Sequence, residues 1–185
     1  HGQLDYQGSV NDYRLRLKTA LQSSKTPQGD WQLEAQGNRQ QLMVSQLNYQ
    51  GESGTIQAKG QLAWHNGLTW DSQLKLQQLH TIVWQPNVDA VLSGSTELSG
   101  KWMPDTKQLQ LAQSQLTGYF NNTPLKIDSK RFSIDIKPFS LTHFPAFDSH
   151  QTDLTWGKNK LLLNGGLAAN TWNVVADVQL DDMTQ

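Results

Sequence analysis

The chain has 185 residues, 15 Lys plus Arg against 16 Asp plus Glu, a net charge of -1 and no Cys. That balance, with no basic run, excludes nucleic acid as a partner, because phosphates need clustered cations. The missing thiols exclude disulfides, thiolate metal sites and cysteine nucleophiles. Hydrophobic types make up only 36% and mean hydropathy is -0.60, so no stretch approaches the ~20 apolar residues of a membrane helix. No signal peptide opens the chain, and His1 reads as the remnant of a cut purification tag.

Period two governs nearly every segment. Tyr13, Leu15, Leu17, Thr19 and Leu21 share one parity, with Arg14, Arg16 and Lys18 between them. Trp31, Leu33, Ala35 and Gly37 repeat the pattern around Gln32, Glu34 and Gln36. Ile56, Ala58, Gly60, Leu62 and Trp64 follow, then Trp70, Leu74 and Leu76. Val88 to Trp102 alternates through Ala90, Leu92, Gly94, Leu98 and Gly100; next come Leu109 with Leu111 and Leu125 with Ile127. Phe132, Ile134 and Ile136 lead to Leu154 and Trp156, then to Leu161, Leu163, Gly165 and Leu167, and Trp172 to Leu180 closes the chain. Strand side chains alternate between faces, so each run predicts a strand with one apolar and one polar side. No segment shows a convincing 3.6 period.

Turn signals separate the runs: residues 26–30, Gly51 to Gly54, His65-Asn66-Gly67, Pro104-Asp105 and Asn121 to Pro124. Their spacing predicts a meander of antiparallel strands. Thr142 to Ser149, with Phe144, Pro145 and Phe147, reads as a loop or an edge strand. A loose repeat links Gly60 to Trp64, Leu98 to Trp102, and Leu154 to Gly157, as short stacked β units would.

The fold class is therefore all-β: a long curved antiparallel sheet, or β-taco, with an apolar concave face, and a β-sandwich as the alternative. Gly37, Gly60, Gly94, Gly100 and Gly165 fall on the apolar parity. A packed sandwich core would lose contacts there, whereas a sheet needs small residues where it bends.

Chemistry is scarce. The five His residues are scattered without ligand spacing, so no metal site or cofactor is expected. His80 reads as a surface residue, Asp181-Asp182 as a solvated turn, and Asn121-Asn122-Thr123 as a turn that also fits a glycosylation sequon. No nucleophile elbow, phosphate loop or dinucleotide fingerprint occurs, which points away from an enzyme. The seven Trp residues admit three readings: core packing, an apolar groove, or sugar stacking as in a carbohydrate-binding module.

Longer phrases carry a resemblance. Pro27 to Trp31, Gly60 to Trp70, Val88 to Gly94 with Leu98-Ser99-Gly100, and Asn159 to Gly165 running through Trp172-Asn173-Val174 to Met183 resemble the TamB branch of AsmA-like envelope proteins. The resemblance implies a single β-repeat segment, residues 1–185, from within a longer periplasmic protein anchored in the inner membrane of a Gram-negative bacterium. It implies an apolar trough conducting phospholipid acyl chains toward the outer membrane. It also implies an outer-membrane Omp85-type partner, TamA, contacted by other parts of the full-length protein. The lining would be Leu15, Leu17, Trp31, Leu33, Ile56, Leu62, Trp64, Trp70, Leu74, Leu76, Leu92, Leu98, Trp102, Leu109, Leu111, Ile134, Leu161, Leu163, Trp172, Val174 and Val178. A second role stays open beside this one: a scaffold pairing its edge with nascent outer-membrane strands.

Overall fold

The computed structural model describes residues 2–21, 27–136, 146–168 and 171–181. Among these, twelve strands form one antiparallel sheet in chain order. They are β1 (Gly2–Ser9), β2 (Asp12–Leu21), β3 (Gly29–Gly37), β4 (Gln41–Gly51), β5 (Gly54–Ala63), β6 (Leu68–His80), β7 (Ala90–Trp102), β8 (Lys107–Phe120), β9 (Thr123–Asp135), β10 (Phe147–Trp156), β11 (Asn159–Ala168) and β12 (Thr171–Gln179). A single 3₁₀ turn, Thr81–Val83, interrupts the meander. Every strand packs against its ladder neighbours, and among the described residues no second sheet lies over the first. The curved-sheet reading holds and the sandwich alternative is overturned: strands added in chain order never return to cover the face already built.

Several joints are hairpins of two residues. Val10-Asn11, Glu52-Ser53, Asn121-Asn122 and Gly157-Lys158 each separate consecutive strands. Asn121 and Asn122 both take positive φ, 48° and 60°, the backbone of a mirror-image turn that matches strand twist and favours Asn. The sequon-like triplet is thus explained by turn geometry.

Two details differ from the sequence reading. β7 begins at Ala90, so Val88 belongs to the preceding loop. Phe147 opens β10, which pairs with β9 and β11 and is therefore an interior strand. The expected loop at 142–145 lies outside the described residues, as does Asp182.

The bend has a visible cause. The apolar parity switches inside five strands: Val44 to Leu47 in β4, Leu76 to Leu79 in β6, Leu111 to Leu116 in β8, Ile127 to Phe132 in β9 and Ser149 to Thr152 in β10. In β4, β6, β8 and β10 the switch inserts an extra residue against a neighbouring strand, which bends the strand and increases its twist. Gln78, Gln113 and Gln151 sit at these sites with φ of 47°, 46° and 49°. Neighbouring strands satisfy the displaced backbone: Gln78 N–H donates to Ser93 Oγ at 2.8 Å, and Gln151 N–H to Asn164 Oδ1 at 3.4 Å. Opposite the β8 bulge, Gly94 has φ 132°, and a Cβ there would overlap the Gln115 carbonyl.

Hydroxyls fill the inside of the bend. Ser114 and Ser149 are 1% and 2% exposed, and Thr96 and Ser129 are also buried. They bond in two groups, Thr96 with Ser114 at 2.6 Å between β7 and β8, and Thr152 with both Ser129 and Ser149 at 2.8 Å between β9 and β10. Pairing among themselves offsets the cost of burying them. Small side chains allow the tight curvature that a row of Leu would obstruct.

Candidate functional site

Residues opposite one another in an antiparallel ladder share a face, so the register carries a single face across the sheet. From β1 it runs Leu4, Leu17, Leu33, Leu47, Ala58, Leu74 and Thr96, and from β8 Leu116, Ile127, Leu154, Leu161 and Val178. Twenty of the 21 predicted lining residues stand at register positions on this face, in the same ladders. The exception is Trp64, which lies just past β5. Its indole N–H donates to the Arg39 carbonyl at 2.7 Å, and this tethers the ring at the strand end.

Charge is sorted with the same strictness. Arg14, Arg16, Lys18, Glu34, Lys59, Asp71, Lys75, Glu97, Lys126, Asp128, Asp148, Asp153 and Asp177 all take the opposite parity. Among registered strand positions, Lys107 is the one charge on the apolar face, opposite Trp102 at the very end of the ladder. Its ammonium lies 4.7 Å from the centre of the Trp102 ring, where cation and ring attract and the charge still reaches water. Leu15, Leu17, Leu33, Leu62, Leu92 and Leu163 are half-buried while the charges between them are exposed. Side chains crowd on one face and splay apart on the other, which puts the apolar face on the concave side.

The Trp residues occupy the strand ends. Trp31 and Trp156 lie at one margin, where β3 starts and β10 ends; Trp64, Trp70, Trp102 and Trp172 lie at the other, where β5 and β7 end and β6 and β12 start. The floor between them is mostly Leu, Ile, Val, Ala and Gly, with Phe132 and the hydroxyl residues of the bend. The loose repeat is therefore out of phase: Gly60 to Trp64 and Leu98 to Trp102 end at one margin, and Leu154 to Gly157 at the other. Trp70 lies flat against Gly100, and a Cβ there would overlap its six-membered ring. This glycine makes room for an aromatic side chain.

The sequence reading missed Trp84. It follows the 3₁₀ turn in the β6–β7 connection, yet its ring packs edge-on against Trp31 at 5.7 Å and Tyr49 at 5.3 Å between centroids. Tyr49 is 0% exposed, and its hydroxyl pairs with the Gln28 carbonyl and with Ser53. No strand period marks Trp84, because a loop brings it to the face. The bulge-site hydroxyls were missed as well, although the parity switches that accompany them are readable in the sequence.

The chemistry available is that of surface and shape. Asp181 is held by Lys158 at 2.9 Å, and His80 is an exposed strand end. Among the described residues no three His, Asp or Glu side chains cluster as a metal site would require. Openings on the polar face are lined by Gln41, Gln61, Asp71, Lys101 and their neighbours, shallow polar ground without converging groups.

Comparison with known proteins agrees with the geometry. Residues 1–185 match the family model described as TamB, N-terminal domain. The chain is also similar to the translocation and assembly module subunit TamB of Haemophilus influenzae, 24% identical over 121 residues. That alignment covers 65% of this chain and 9% of the relative, so the chain spans a small part of the relative's length. No solved structure matches. With a family match along its whole length and an open, curved all-β sheet, this chain belongs to the TamB family.

Proposed function

We propose that this chain is a non-enzymatic stretch of a periplasmic lipid conduit, whose concave face carries phospholipid acyl chains between the inner and outer membranes. The observation behind this reading is the sorting of side chains over twelve strands: among the registered strand positions an apolar face with one charge at its margin, and among the described residues no second sheet over it. Eleven strand spacings of ~4.8 Å give the face a contour of about 50 Å. Exposed apolar patches of such extent are interaction sites in soluble proteins. Each methylene moved from water onto the face gains about 0.8 kcal/mol, so acyl chains bind without a specific pocket and slide without leaving one. Leu and Val beside Gly, Ala and hydrogen-bonded Ser present few groups that would hold a chain in place.

A second reading is favoured by the relative's name, which assigns that protein to translocation and assembly. Here the sheet templates nascent outer-membrane strands, with an Omp85-type partner acting through other parts of the longer protein. Photo-crosslinking residues at Leu74 and Leu163 in the full-length protein separate the two. Capture of phospholipid at both sites is expected; capture of unfolded barrel protein alone would replace the conduit with the scaffold. The sugar-binding reading predicts Trp fluorescence changes with glycans, and inert titrations remove it.

A further inference from the structure

We propose that the aromatic seat formed by Trp31 and Tyr49 is an acyl-chain site in which Trp84 acts as a resident stand-in that arriving lipid displaces. This rests on the conduit reading. Among the described residues, Trp84 reaches the apolar face from a connection and not from a strand or a strand end. From the end of β6 its ring reaches Trp31 on β3 and Tyr49 on β4, and Ile56 of β5, which pairs with both Tyr49 and Leu76, flanks the seat in the ladder.

The loop is built to move as a unit. Its hydrogen bonds close within it: Trp84 and Gln85 N–H both donate to the Thr81 carbonyl at 2.8 Å, and Val88 N–H to Gln85 at 2.9 Å. Thr81 Oγ1 donates to the Val88 carbonyl at 2.6 Å and accepts from Ala90 N–H at 3.0 Å, which clasps the neck. The root is tied to the sheet by His80 N–H to Ser53 and Asn121 N–H to Asp89, at 2.8 and 2.9 Å. The tip meets the face through the Trp84 ring contacts. Lifting the tip therefore breaks ring packing and leaves the clasp and the ladder intact.

One further observation marks the seat as a place where contacts are exchanged. Ile82, Val83 and Trp84 are all exposed hydrophobics, Trp84 at 36%, so the cap covers the seat without being locked beneath anything. A flat apolar ring and a run of methylenes cover the same surface by the same non-directional force, and so they compete.

The test uses the full-length protein with a photo-crosslinking residue at Ile56, the ladder partner of Tyr49, or at Leu163, six strands away, and vesicles of phosphatidylethanolamine and phosphatidylglycerol. Trp84→Ala should raise lipid capture at Ile56 at least about threefold, as removal of an occupant that holds the site most of the time requires. Capture at Leu163 should stay unchanged. Trp84→Phe, which keeps a ring, and Ile82→Ala, on the exposed side, should remain near the parent level. Unchanged or reduced capture at Ile56 with normal capture at Leu163 overturns the stand-in and leaves the conduit standing. An equal rise at both positions also overturns it, since that reports loosening of the whole face. Lipid at neither position in any variant removes the conduit, and the proposal with it.

Discussion

Single residues set the curvature through how closely one chain can approach another. Gly100 lies under the Trp70 ring, where no Cβ fits. Gly100→Val is expected to push the indole off the face and to destabilise the chain by about 1–3 kcal/mol, the range for an overpacked site. A lowered urea midpoint at constant slope is the readout. Tyr49 is a complementary case, since its hydroxyl serves the Gln28 carbonyl and Ser53 from a fully buried position. Tyr49→Phe keeps the ring stack and strands those partners, at about 1–3 kcal/mol. An unchanged midpoint would show that water replaces the hydroxyl there.

At the scale of a strand, two faces answer to different rules. Leu62, Leu92 and Leu163 are half-buried on the concave face, whereas Gln61 and Gln73 are exposed on the other. Arg at any of the three Leu positions should block transport in the full-length protein, because an unpaired charge among acyl chains costs several kcal/mol to desolvate. The folded sheet should survive, since an open trough lets the guanidinium reach water. Gln61→Arg and Gln73→Arg should be close to silent: their amides already bond Asp71 at 2.6 Å and Glu97 at 3.3 Å, and Arg would meet the same carboxylates. Circular dichroism and a lipid-transfer assay read the two halves separately. A Leu163→Arg protein with full transfer would defeat the conduit, and wholesale unfolding would mean that the face is covered by something.

Over the whole molecule, an uncovered apolar face makes stability depend on what occupies it. A ligand that binds only the folded sheet adds RT ln(1 + [L]/Kd), or about 2.7 kcal/mol at a hundredfold excess over Kd. Titrating the chain with a single-chain lipid should raise its urea midpoint progressively, and Leu92→Arg should weaken the effect. A midpoint indifferent to lipid at all concentrations would speak against acyl chains as occupants. Native-state binding of a hydrophobic dye, falling as lipid is added, is the matching optical signal.

The alternation of Leu, Trp and Val with Gln, Lys and Asp was enough to predict strands and their two faces, and twenty of the 21 named positions share one face of the ladder, because a period of two leaves each side chain only two directions. The turn chemistry at Asn121-Asn122 and Gly51 to Gly54 was equally local, hence equally legible. Sequence could not decide whether a second layer would cover the apolar face, since a sandwich and an open sheet use the same alternation. Chain-order pairing of all twelve strands settled that. It also could not place Trp84, whose position depends on a loop crossing β5. Nor could it foresee that Thr96, Ser114, Ser129 and Ser149 form the inside of the bend, because bulges at Gln78, Gln113 and Gln151 put a residue type that favours no turn into positive φ. Period and turn chemistry are written along the chain; closure, crossing and bending depend on which strands meet, and that is decided only once the sheet is assembled.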